Sequence, residues 1–256
     1  SYILSEHWTG YHHPLSKKIS ILEKIISKRI TKKASLISPV SLHLQSSMQN
    51  FGLKGNYYPV PNVVNTDLFI PSHDKEKAFT ILHVSSLKDD HKNITGMLNV
   101  AKRLESEAPN FTWNFIGGNG TEFNEHIQSL GFRSARIHFI EHLPHEELVS
   151  YFQKAHVLVL FSNYENLPCV ILESFSCGTP VISTDVGGIA EYFPKDFGYL
   201  IPVKEENKLL DVLKNTYSNP IHKPNEMHQY AIDNFSKETI ANQFSEAYFN
   251  VLTKSN

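Results

Sequence analysis

Apolar and polar positions along this chain fall into two regimes. Over the first 69 residues the pattern predicts strand, helix, strand, helix, strand, at residues 2–5, 15–33, 34–37, 41–51 and 57–60. Within 15–33, Leu15, Ile19, Leu22, Ile25, Ile26 and Ile30 recur at helical spacing. The other face carries Lys17, Lys18, Lys24, Lys28, Arg29, Lys32 and Lys33. Ser41 is placed to cap the second helix and Gly52 to stop it. Residues 62–77 are polar, with Pro71, Ser72, His73 and Asp74, and mark a boundary. Beyond it the alternation is regular. Strands are expected at 79–85, 111–116, 136–140, 157–161, 181–184 and 199–201. Helices are expected at 94–108, 122–130, 144–153, 167–177, 187–193 and 237–252. Residues 157–161 form a continuous apolar run, as in a strand covered on both faces. Repeated β-α units of this kind predict an α/β fold with a doubly wound parallel sheet.

In such folds ligands bind beyond the C-terminal ends of the strands. Four loops, 86–93, 117–120, 141–143 and 162–166, should therefore open on one rim. Glu165 and Glu173 lie eight residues apart across the last of them. Pro168 suits the first turn of the following helix, where its missing N–H costs nothing. The helix's N-terminal amides then face the rim and favour a diphosphate. Ionised carboxylates beside them accept hydrogen bonds from sugar hydroxyls.

Composition narrows the choice. With 256 residues, 41% hydrophobic and 20% charged, the chain has the make-up of a folded globular protein. A net charge of −2 argues against a nucleic-acid partner. Cys169 and Cys177 form no CxxC pair, so neither a disulfide framework nor a zinc site is expected. Both read as core residues, and so few thiols fit a reducing, cytoplasmic setting. No apolar run approaches the roughly 18 residues of a spanning helix. The chain opens on what reads as mid-strand, as a fragment would.

The run from Ser162 through Glu165-Asn166-Leu167-Pro168, Glu173 and Gly178-Thr179-Pro180-Val181-Ile182-Ser183-Thr184-Asp185-Val186-Gly187-Gly188 to Glu191 resembles the E-x7-E block of glycosyltransferase family 4. Val60-Pro61-Asn62 through Phe69 resembles the family's interdomain segment, with Val63 and Asn65 where Gly and Asp are usual. Leu143-Pro144-His145-Glu146-Glu147-Leu148 resembles a helix start of that family. The resemblance implies the GT-B fold, with two facing doubly wound domains. Residues 1–70 would be the C-terminal portion of the acceptor domain, 71–235 the donor domain, and 236–256 a helix returning to the first. It implies a retaining, metal-independent hexosyltransferase without a cofactor. The enzyme would act on a nucleoside-diphosphate sugar and a saccharide or lipid-linked acceptor, in cell-surface polysaccharide or glycolipid assembly. Glu173 would hold the donor ribose, and Glu165 and His7 would stand at the transferred sugar. Lys92 would neutralise the diphosphate. Asn166, Leu167 and Pro168 would face sugar and phosphate, Leu143 the base, and Gly117 the donor loop. Ser86 stands where the family has Arg, leaving Arg133 or Arg136 as substitutes.

Other readings stay open at this level. The chain could be a non-catalytic donor-binding module that works with a partner, or a GT-B-like epimerase. Gly117, Gly118 and Gly120, like Gly187 and Gly188, also fit plain turns. Glu191 also fits a first-turn carboxylate favouring its own helix. The basic face of 15–33 fits either a solvated surface or contact with an anionic membrane.

Overall fold

A computed structural model describes residues 2–132 and 136–253. Two parallel sheets organise the chain. The smaller pairs β1 (Ile3–Glu6) with β2 (Leu36–Pro39), in register from Ile3↔Leu36 to Glu6↔Pro39. Helix α1 (Ile21–Lys33) connects them and α2 (Leu42–Asn50) follows. Ser41 caps α2 as expected, accepting from the Leu44 amide at 3.0 Å. The strand expected at 57–60 amounts to a single bridge, Ile37↔Tyr57. Ile37 donates to Asn56 and accepts from Tyr58. The next rung needs an amide from residue 39, and Pro39 has none.

The expected helix over 15–33 also differs. Residues Leu15–Lys18 form a separate 3-10 turn, and α1 starts after Ser20. Ser20 and Glu23 close a reciprocal capping box there, which sets the start. The apolar stripe does not face the fold. Ile21 (81% exposed), Leu22, Ile25, Ile26 and Ile30 all point outward. Thr31 is buried instead, donating to the Ser27 carbonyl at 2.9 Å, while Lys24 sits 4.6 Å above the Phe51 ring.

The larger sheet comprises β3 (Phe79–Val84), β4 (Phe111–Ile116), β5 (Ile137–Ile140), β6 (Val157–Leu160), β7 (Val181–Thr184) and β8 (Gly198–Ile201). Their order is β5-β4-β3-β6-β7-β8, with every pair parallel. Between them run α3 (Asp89–Lys92), α4 (Ile94–Leu104), α5 (Asn124–Leu130), α6 (His145–Lys154) and α7 (Cys169–Ser176). After the sheet come α8 (Glu206–Ser218), α9 (Pro224–Phe235) and α10 (Lys237–Thr253). A hydrophobic cluster covers each face, as the unbroken apolar run of β6 requires. The chain winds outward from β3 to β5, then restarts at β6 and winds the other way. That reversal opens a crevice beyond the C-terminal ends of β3 and β6.

The two lobes touch around that crevice. The Glu191 carboxylate accepts the α2 amides of Leu42 and His43 at 2.8 and 2.7 Å. Glu191 therefore caps a helix of the other lobe. A Cβ on Gly188 would lie 2.4 Å from that of Ser41, so only glycine admits this approach. The polar connector is tied down as well. The Val64 amide donates to the Phe235 carbonyl at 2.8 Å, and Lys75 donates to the Ala155 carbonyl at 2.7 Å. Among the described residues no helix is long and apolar enough to cross a membrane.

Candidate active site

The β3 end is braced from beneath. His83 is fully buried, with Nδ1 at 2.8 Å from the Val159 carbonyl and Nε2 at 2.7 Å from the Ser85 hydroxyl. Burial pushes its pKa down to about 3, so the imidazole stays neutral. Nδ1–H then donates to Val159, and Nε2 accepts from Ser85. Ser85 Oγ in turn accepts the Leu87 amide at 3.0 Å, holding a turn with Leu87 at φ 54. One helical turn, α3, then aims Lys92 into the crevice. Asp89 ties that turn to α4, accepting the Thr95 amide and hydroxyl at 2.8 Å each. Neither His83 nor α3 was expected. A lone histidine in an otherwise apolar strand was the available signal.

Lys92 Nζ donates to Glu165 Oε1 at 2.5 Å, and Ser162 Oγ donates to the same oxygen at 2.7 Å. Glu165 is 7% exposed, so the pair sits in a largely dry environment. Its loop is held by close backbone approach. Gly187 has φ +62, and a Cβ there would meet the Glu165 carbonyl oxygen at 2.1 Å.

At the same rim lies a cavity of about 480 Å³, lined by Ser86, Gly117, Leu143, His145, Cys169 and Glu173 among others. Four of the expected site residues, Ser86, Gly117, Leu143 and Glu173, thus come together from four different loops and helices. Glu173 is 5% exposed, and burial pushes its carboxyl pKa upward while His145, 3.9 Å away, pulls it back. Pro168 caps α7 rather than lying in its first turn. Cys169 and Val170 of that turn line the cavity, so the positive end of the α7 dipole faces it. Cys177 is buried as expected, but Cys169 is exposed on the cavity wall.

Asn166, Leu167 and His7 join the lobes. Asn166 is buried, donating through Nδ2 to the His7 carbonyl at 2.5 Å and accepting from His12 Nε2. His7 Nδ1 lies 3.0 Å from Asn62 Oδ1, and Asn62 Nδ2 donates to the Leu167 carbonyl at 2.6 Å. His7 Nε2 faces the Ser5 hydroxyl at 2.9 Å. A second cavity, of about 350 Å³, has Glu165 on its wall together with His12, His13, His43 and Asp185.

Of the two candidate substitute arginines, Arg136 does not join the site. Arg136 precedes β5, at the opposite end of the strand from the crevice, and lies 3.6 Å from Glu105 and over the Phe111 ring. Arg133 falls outside the described residues.

Residues 65–234 match the family described as Glycosyl transferases group 1. Among curated proteins, a phosphatidylinositol N-acetylglucosaminyltransferase component of Arabidopsis thaliana is 26% identical over 220 residues, 82% of this chain and 49% of that protein. The chain therefore spans about half the length of that relative. Among solved structures, sucrose-phosphate synthase from Thermosynechococcus elongatus aligns with a TM-score of 0.85 at 20% identity, over 98% of this chain and 68% of that one. The Anabaena protein HepE in complex with UDP-glucose aligns with a TM-score of 0.83 at 18% identity, over 97% and 72%. At these identities the likeness is one of fold, an α/β fold of the GT-B type.

Proposed function

The chain belongs to the group 1 glycosyl transferases, and from that premise we propose that it transfers a hexose, with retention and without a metal, from a nucleoside-diphosphate sugar to a saccharide or lipid-linked acceptor. The observation that carries this is that the Lys92–Glu165 pair shares the rim beyond the strand ends with the Glu173 cavity, whose wall includes the α7 N-terminus. The nucleoside lies in that cavity, with its ribose hydroxyls donating to Glu173 and its base against Leu143. The diphosphate lies across Lys92 and the α7 dipole. The bond between the anomeric carbon and the phosphate oxygen breaks, and Lys92 and α7 take up the charge released. The acceptor hydroxyl forms the new bond on the face the diphosphate leaves, and its proton passes to the departing phosphate oxygen. Glu165 and His7 position the sugar. The setting we propose is assembly of cell-surface polysaccharide or glycolipid.

Calorimetric titration with UDP, GDP and ADP tests the donor site. One nucleotide should bind saturably, and Glu173→Ala should weaken it by roughly 10- to 100-fold, the loss of one or two hydrogen bonds to a charged group. An unchanged affinity in the variant would remove Glu173 from the site. Absence of binding by all three would remove the donor assignment.

We also propose that α1 rests on an anionic membrane surface at the cytoplasmic face. Its outward stripe, Ile21, Leu22, Ile25, Ile26 and Ile30, is flanked by Arg29, Lys32 and Lys33. Apolar insertion and headgroup attraction then act together. The chain should sediment with phosphatidylcholine vesicles containing phosphatidylglycerol, less so in high salt, and Ile25→Asp with Ile26→Asp should abolish this. Binding indifferent to salt and lipid charge would sink the idea.

A further inference from the structure

Trp8 is 52% exposed, although tryptophan is highly buried on average. Its conformation is nevertheless held. Glu6 Oε1 accepts both the His7 and the Trp8 amides at 2.9 Å, which pins the turn after β1. The six-membered ring covers Gly10 so closely that a Cβ there would lie 2.2 Å from Cζ2. The buried ring of Tyr11 meets it edge-on at 5.2 Å and 78°. One side of the indole is thus braced by the backbone and the other is left open.

The indole lines a cleft of about 260 Å³ that also has His91 of the other lobe on its wall. Trp8, Leu15 and Ile19 give it an apolar floor, and Lys18, Glu23 and His91 a polar rim. Its rim reaches the transfer centre directly. His91 precedes Lys92, its carbonyl accepts the Asn163 amide at 2.7 Å, and its ring stands 5.7 Å from that of Tyr164, next to Glu165. On the other flank, the His7 carbonyl is bonded to Asn166. A pyranose ring fits this chemistry. Its C–H face lies against an aromatic face, and its edge hydroxyls need donors and acceptors around the rim.

We propose that Trp8 is the stacking platform for the acceptor sugar, so that the group receiving the hexose is a saccharide ring held over the indole. This rests on the transferase assignment and names the acceptor side of the same site.

The chain's two tryptophans make the test direct, because Trp113 is fully buried and Trp8 alone can sense a ligand. Maltose, cellobiose and lactose are titrated while tryptophan emission is followed, both without nucleotide and with saturating UDP. At least one should produce a saturable change in emission. Calorimetry on Trp8→Leu should show its affinity reduced about tenfold, with Trp8→Phe recovering most of it. UDP affinity measured alongside reports that the variants are folded. The inference falls if no saccharide in the panel changes the emission, or if Trp8→Leu binds the saccharide as well as the parent chain. Failure of UDP to bind is a separate result and counts against the donor site instead.

Discussion

Lys92→Ala should slow turnover of the nucleotide-sugar donor by roughly 100- to 1,000-fold, the usual scale for removing one preorganised electrostatic group. The effect on rate is separable from an effect on stability. Lys92 and Glu165 side chains are 18% and 9% exposed and meet at 2.5 Å. Removing the lysine leaves a nearly buried carboxylate with the Ser162 hydroxyl as its remaining donor among the bonds described. Breaking such a pair from one side costs up to about 3 kcal/mol, since the surviving charge keeps its desolvation penalty. Adding Glu165→Gln in the Lys92→Ala background removes that charge and should return much of the lost stability, but none of the rate. UDP release from the donor and the urea midpoint measure the two quantities. Recovery of turnover in the double variant, or a rate within tenfold of the parent in Lys92→Ala, would show that Lys92 acts only as a structural counter-charge.

How far the site could be read from the sequence follows from the range of the forces involved. The β-α alternation after residue 79 is local, and it marked the strands to within a residue or two. The strand order, and so the crevice, follows from general rules for doubly wound sheets. Ser86, Gly117, Leu143 and Glu173 were legible because each sits on a loop or helix at that predictable rim. The contacts between lobes were not. Glu191 and Leu42 lie 149 positions apart, and no local pattern links a carboxylate to a helix N-terminus at that separation. The outward apolar stripe of α1 escaped for a related reason. Helical spacing identifies a stripe but not which side the rest of the fold lies on, and here Lys24 and Thr31 face inward. The Pro39 defect in the first sheet depends on pairing register, which spacing alone does not supply.

Gly117→Ala should be the most damaging single-methyl change at the rim. Gly117 has φ +122, and an added Cβ would lie 1.8 Å from the Ser85 carbonyl oxygen. Neither side can yield cheaply. Gly117 N–H donates to the Ile140 carbonyl at 2.9 Å, and Ser85 N–H donates to the Ile116 carbonyl at 3.0 Å, so both belong to the ladder joining β3, β4 and β5. Backbone strain and steric overlap together should cost on the order of 3–5 kcal/mol. Ser85 also holds the turn that leads to Lys92, and Gly117 lines the Glu173 cavity. Affinity for the bound nucleotide should therefore fall along with stability. Gly118→Ala is the internal control one residue away. Its Cβ would lie 3.1 Å from Leu87 Cδ1, the far end of a side chain rather than backbone. That change should cost under about 1 kcal/mol. Urea midpoints and calorimetric UDP titration of the two variants settle the matter. Equal tolerance at both positions would mean that the β4 exit can move, and that the wall of the Glu173 cavity is not set by the sheet.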